Sequence, residues 1–118
     1  MDIYAPCALG GVLNTESIDK LKCSIVCGGA NNQLENEERD SLHLKNRGII
    51  FAPDFLVNSG GLINVYSEIK GYSKEISLEK TKEIFNTTLD ILNKSKAEGI
   101  SSYVAAMNIA KERIQNNK

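Results

Sequence analysis

No stretch of this 118-residue sequence approaches the roughly 18 consecutive apolar residues that a membrane-spanning helix needs. The opening Met1-Asp2-Ile3-Tyr4-Ala5-Pro6 has neither a basic start nor an apolar core, so it does not read as a secretory signal. Net charge is scarce as well, at −1, which argues against a nucleic acid or anionic membrane held by bulk electrostatics. The glycine motifs that grip phosphate, G-x-G-x-x-G and the P-loop, are both absent. A single histidine, His43, lies in a polar stretch and reads as a surface residue. Three cysteines, Cys7, Cys23 and Cys27, have spacings that fit neither a zinc site nor a CxxC redox motif. They read as buried free thiols in a reducing compartment. No metal site is expected, and no Ser-His-Asp or Cys-His arrangement can be assembled. These absences leave a cytoplasmic protein with neither a nucleic-acid nor a membrane partner as the default.

What is present is ordinary in amount and informative in order. Apolar residues make up 42% and charged residues 25%, the balance of one globular domain. Asp2 to Ala5 reads as a short strand stopped by Pro6. Asn14 to Ser17 offers N-caps for a short helix running to about Lys22. Cys23-Ser24-Ile25-Val26-Cys27 is a compact apolar run closed by Gly28-Gly29, the pattern of a strand buried on both faces. A polar helix is expected over 36–46, then a third strand from Ile49 to Ala52, stopped by Pro53. Strands alternating with helices predict a parallel, doubly wound α/β sheet. From Asp54, a candidate cap, the pattern turns helical, with Gly60-Gly61 marking either a helix boundary or a close approach. Ser77 could cap a long helix with the stripe Ile84, Phe85, Thr88, Ile91 and Leu92, ended by Gly99. A last helix follows Ser101, with Tyr103, Met107, Ala110 and Ile114 on one face. Both stripes read as packing surfaces. Three short strands are few for a complete sheet of this kind, which suggests part of a larger fold; a complete small α/β domain is the other reading.

Open α/β sheets bind ligands beyond the carboxyl ends of their strands. The loop after the second strand, Gly28-Gly29-Ala30-Asn31-Asn32-Gln33, combines small residues with primary amides. Small residues admit a flat ligand to the backbone, and an uncharged amide pairs with a carboxamide donor for acceptor. Asn31 and Asn32 could equally cap the next helix or shape a turn. Residue chemistry alone leaves both open.

Three stretches, in order and at similar spacing, carry a resemblance. Asp2-Ile3-Tyr4-Ala5-Pro6-Cys7-Ala8-Leu9-Gly10 and Gly29-Ala30-Asn31-Asn32-Gln33-Leu34 are similar to the NAD domain of leucine dehydrogenases, members of the Glu/Leu/Phe/Val amino-acid dehydrogenases. Ala52-Pro53-Asp54-Phe55-Leu56-Val57-Asn58-Ser59-Gly60-Gly61-Leu62-Ile63-Asn64-Val65 resembles that family's segment entering the active-site cleft. Gly99-Ile100-Ser101-Ser102-Tyr103-Val104-Ala105-Ala106 extends the match. The resemblance implies that residues 1–118 are the second half of a Rossmann-like doubly wound sheet followed by C-terminal helices, with a helical region from about residue 75. On this resemblance the chain is the C-terminal part of the NAD-binding domain. The implied activity is NAD-dependent oxidative deamination of a branched-chain L-amino acid to its 2-oxo acid and ammonia.

The resemblance assigns Cys7, Ala8, Asn31 and Asn32 to the cofactor, with Asn32 on the nicotinamide carboxamide. It assigns Asn58, Leu62 and Val65 to the substrate, the latter two lining an aliphatic side-chain pocket. Leu62 is bulkier than the valine common there, which narrows that pocket. The family's catalytic lysine and aspartate and its phosphate-binding turn have no matching positions, so no catalytic residue is expected in this chain. A missing N-terminal substrate domain, or a partner segment supplying it, is implied, as is homo-oligomeric assembly. The alternative is a non-catalytic nucleotide-binding or regulatory module derived from the family.

Overall fold

The computed structural model describes residues 1–116. Three two-residue strands, β1 (Ile3–Tyr4), β2 (Ile25–Val26) and β3 (Ile50–Phe51), form a parallel sheet in the order β1-β2-β3. The strands are shorter than the apolar runs, because the ladder ends where loops diverge at Pro6, Gly28 and Pro53. Two helices connect them, α1 (Thr15–Lys20) and α2 (Glu37–Asn46). Asn14 starts α1 with a reciprocal cap: its side chain accepts from the Ser17 N–H at 3.0 Å, and Ser17 Oγ accepts from the Asn14 N–H at 2.9 Å. The helix stops at Lys20 rather than Lys22, since Leu21 turns extended. At α2, Asn36 accepts from the Arg39 N–H at 2.9 Å, and Asp40 accepts from the Asn36 N–H at 2.8 Å. Burial pushes the Asp40 carboxyl up, yet hydrogen bonds from Arg39 and from the Asn36 backbone hold it below its usual range.

The register separates the sheet into two rows. Tyr4, Val26 and Phe51 lie side by side, as do Ile3, Ile25 and Ile50. Val26 and Phe51 are buried, and Tyr4 packs against the same core, formed with Leu13 and Ile18 before and within α1, Leu34 before α2, and Leu44 in α2. The other row faces outward: Ile3 is 55% exposed and Ile50 48%. The expectation of a central strand buried on both faces holds only in part, since Val26 is buried and Ile25 half-buried. Among the described residues one face is covered and an apolar isoleucine row is left open, because alternate residues point to opposite sides and only one side receives helices.

After β3 come α3 (Asp54–Val57), α4 (Gly60–Ile69), α5 (Lys74–Glu98) and α6 (Ser102–Asn116). Gly60-Gly61 is a helix boundary, opening α4. The cap of α5 is Ser73, whose Oγ accepts from the Ile76 N–H at 3.4 Å; Ser77, expected there, lies one turn inside and is buried. Gly99 ends α5 in the left-handed region (φ 66°). The α5 and α6 stripes need correcting too. Ile91 packs with Ala105 and Ala106 in a second core, whereas Phe85 and Ile114 are exposed. The small alanines let α6 approach α5 closely, so the bulkier residues of each stripe fall to either side. Ser102 Oγ donates to the Phe51 carbonyl at 2.6 Å, and Ser41 and Ser101 share a buried hydroxyl contact at 2.9 Å. The first bond docks α6 on the outer edge of β3, and the second ties the start of α6 to α2. No described helix is long and apolar enough to cross a membrane.

Candidate functional site

The loops leaving the three strands meet at the sheet's carboxyl end. Pro6 O accepts from the Ala30 N–H at 3.0 Å, joining the first loop to the second. Gly28 sits so close that an added Cβ would lie 2.1 Å from Pro6 O and 2.5 Å from Pro6 N. Only glycine permits that approach. Gly10 faces the same loop, where a Cβ would lie 3.0 Å from both Asn31 O and Asn32 O, and the Gly11 N–H donates to Asn32 O at 2.8 Å. Asn32 itself adopts a left-handed backbone (φ 52°), which asparagine tolerates better than most residues.

Four of the anticipated site residues are brought together by these contacts. Cys7 Sγ accepts from the Gly29 N–H at 3.4 Å. The Asn58 side chain, at the end of α3, donates to Asn31 Oδ1 at 2.5 Å and reaches Gly29 O at 3.5 Å. Asn31 and Asn32 are both exposed at the tip, as is Ala8 on the neighbouring loop. Cys7 is exposed, so the expectation that all three cysteines are buried is corrected; Cys23 is buried and Cys27 half-buried, and all three are free. Leu62 and Val65 stand apart from this cluster. They share an outward face of α4 and are 72% and 56% exposed.

Beside the tip is a cavity of about 240 Å³, bordered by Asn31, Asn32, Asp54, Phe55, Tyr103 and Met107. Tyr103 on α6 thus packs against the main core on one side and borders this cavity on the other. Tyr103 donates to Glu37 Oε2 at 2.8 Å and meets Phe55 edge to face, ring centres 6.0 Å apart. Burial, with the Glu37 hydrogen bond behind it, pushes the Tyr103 phenol up to about 12. His43 is half-buried, in contact with Asp19 at 2.9 Å, and is remote in the fold from the tip, on the last turn of α2. A larger groove, about 490 Å³, runs past Gly48, Ile50, Leu92 and Lys96, where β3 begins.

Two residues escaped the sequence reading. Gln33, grouped with the ligand-facing amides, turns inward and is fully buried. Asp54, expected as a helix cap, is the first residue of α3, and its buried carboxylate accepts from the Gln33 N–H at 2.9 Å and the Phe55 N–H at 2.8 Å. A buried acid bonded to two main-chain donors from different segments has no local signature in the sequence.

The donor set suits a flat, neutral carboxamide. Asn31 and Asn32 are uncharged and exposed, and Gly29 beside them is exposed and carries no Cβ. These residues fit the nicotinamide end of a dinucleotide; none among them is a cation for its phosphates.

Comparison with known proteins is consistent along the whole chain. The model of the Glutamate/Leucine/Phenylalanine/Valine dehydrogenase family matches residues 1–118. An L-tryptophan dehydrogenase of Nostoc punctiforme is 47% identical over 118 residues, all of this chain and 33% of that protein. A leucine dehydrogenase of Thermoactinomyces intermedius is 47% identical over 114 residues, 97% of this chain and 31% of that protein. The crystal structure of the L-tryptophan dehydrogenase from Nostoc punctiforme superposes with a TM-score of 0.94, covering 98% of this chain and 34% of its own. The chain spans about a third of the length of the curated relatives it matches. A sequence match over every residue, and a backbone match over 98% of them, show that this chain belongs to the Glu/Leu/Phe/Val dehydrogenase family.

Proposed function

We propose that this chain supplies the nicotinamide side of the cofactor crevice, and one wall of the substrate pocket, in an NAD-dependent amino-acid dehydrogenase acting in the cytoplasm. The observation that carries the reading is the cluster of uncharged amides from Asn31, Asn32 and Asn58 at the sheet's carboxyl end. On this reading Asn32 pairs with the cofactor carboxamide, while the Cys7-Ala8 loop lies against the dinucleotide. NAD held there would supply hydride acceptance for the deamination of the amino acid. The protein's own part is to orient the ring with the uncharged amides of the tip, while the acids beside them, Glu37 and Asp54, are engaged by Tyr103 and by main-chain N–H groups. The groups that move protons and bind the phosphates would come from the remaining two thirds of the relatives' length, joined to this chain or assembled with it, in a homo-oligomer. Leu62 and Val65, apolar and exposed here, then become the lining of the side-chain pocket once that remainder closes over α4.

An aliphatic pair favours leucine, valine or isoleucine. The 47% identity to an L-tryptophan dehydrogenase supports a second reading, an aromatic substrate. The test joins this chain to the rest of the Nostoc punctiforme dehydrogenase in place of its matching third and follows NADH formation. Turnover of leucine, valine and isoleucine supports the first reading; turnover of tryptophan or phenylalanine alone supports the second. A folded fusion in which none of these amino acids reduces NAD leaves the chain a non-catalytic relative.

A further inference from the structure

Gln33 is the largest polar side chain sealed completely inside the molecule. Its amide nitrogen donates at 2.7 Å to Gly28 O and at 2.9 Å to Ala30 O. Both of its N–H groups are thereby committed to one loop, the one that ends in Asn31 and Asn32. Its Oε1 is buried and has no partner among the described residues. The main-chain N–H of Gln33 donates to Asp54, and the same carboxylate accepts from Phe55 at the start of α3. Four residues on, Asn58 closes the circuit by donating to Asn31 Oδ1. The tip is thus held from within by Gln33, from the α3 side by Asp54 and from outside by Asn58.

As mere core filling, Gln33 is a poor choice. Methionine would occupy a similar volume without stranding a buried acceptor, and removing an unpaired polar group tends to stabilise or do nothing. The two directed donors are what methionine could not supply. We propose that Gln33 and Asp54 are positioning residues: together they fix the Asn31-Asn32 amides relative to the segment carrying Asn58, Leu62 and Val65, and so set the register between cofactor carboxamide and substrate. Neither touches a ligand. The second half of the proposal rests on the tip being the nicotinamide face; the first half, that the pair holds the tip, does not.

The test uses Gln33→Met, which keeps side-chain length and removes both donors and the stranded acceptor, and Asp54→Asn as a second variant. Amide hydrogen exchange in the 118-residue chain reads the positioning directly. The Ala30 and Gly11 amides, bonded to Pro6 O and Asn32 O, are expected to exchange about tenfold faster in Gln33→Met, the change that losing one such bond produces in a local opening. The Ala52 amide, bonded to Val26 O in the sheet, is expected to stay within about twofold. Asp54→Asn should give the same selective pattern at Gln33 and Ala30. Unchanged tip amides overturn the proposal; so does uniform acceleration that includes Ala52, up to complete unfolding, because Gln33 is then a general core residue.

In the fusion with the Nostoc remainder, kcat/KM for NAD is divided by that for its acetylpyridine analogue, which carries a ketone in place of the carboxamide. This ratio does not depend on how much of the enzyme is folded. Gln33→Met is expected to lower it about fivefold or more, several-fold being what a loosened hydrogen-bond partner costs in discrimination. An unchanged ratio overturns the ligand half. A fusion without any NAD-dependent turnover defeats the proposed function instead, and the exchange pattern still decides whether Gln33 and Asp54 hold the tip.

Discussion

Phe51 and Ile50 are neighbours in β3 that point to opposite faces, and the isolated chain should respond very differently to losing each. Phe51 is 3% exposed and packs in the main core with Val26, Leu44 and Ile49. Truncating a buried phenylalanine to alanine costs about 3–5 kcal/mol, from lost transfer free energy plus the cavity left behind. Ile50 is 48% exposed. Ile50→Ala removes a few methyl and methylene groups, each contributing about 0.8 kcal/mol if fully buried, and half of that area is already in water. Its cost should be about 1 kcal/mol. In urea, with a slope of about 1.5 kcal/mol/M for a small domain, Phe51→Ala should lower the midpoint by roughly 2.5 M or leave no folded baseline. Ile50→Ala should lower it by less than about 1 M. Equal shifts, or a larger one for Ile50, would refute the assignment of the core to one face. The contrast should shrink in the fusion with the Nostoc remainder, where Ile50→Ala should cost more because the open isoleucine row is covered. An unchanged cost there would make that row a true surface.

Three further predictions concern two glycines and the cavity beside the tip. Gly28→Ala places a Cβ 2.1 Å from Pro6 O, where backbone meets backbone and neither can yield, so thermal melts should show a loss above about 2 kcal/mol. Gly61→Ala meets nothing within 4 Å in the first turn of α4 and should be neutral or stabilising by up to about 1 kcal/mol. Tyr103, with its phenol pushed up to about 12, should give a late step in an ultraviolet titration, and Tyr103→Phe should remove that step. Its folded pKa lies above the ordinary value of 10.0, so the native state holds the proton more tightly. The stability this contributes is fully present below about pH 10 and is lost as pH rises towards 12. Tyr103→Phe should flatten that stretch of the stability profile.

Much of the architecture was legible because its signals are local. Apolar runs ended by Pro6, Gly28 and Pro53 mark the strands, Asn14 and Asn36 cap the helices that follow, and Gly99 ends α5. The meeting of three loops at the carboxyl end followed from parallel topology. What stayed hidden depends on contacts distant in sequence. An apolar strand such as Ile25-Val26 reads as covered on both sides, but which side is covered depends on where the helices pack. Ser77 and Ser73 are equally good caps by type, and only the turn after Gly71 (φ 88°) selects Ser73. Gln33 and Asn32 are adjacent amides, yet the left-handed backbone at Asn32 turns one outward and the next inward. The bond from Gln33 to Asp54 spans 21 residues and could not be read from either stretch alone.

The central claim, that the strand tips form the nicotinamide face, is tested most directly by titrating NAD into the fused protein while following the amide resonances of this chain. The account predicts saturable shifts at Cys7, Ala8, Asn31 and Asn32, abolished by Asn32→Ala while the Ala52 amide in the sheet stays unmoved. Saturable shifts confined to the groove around Lys96, or none at all in a folded fusion, would contradict it.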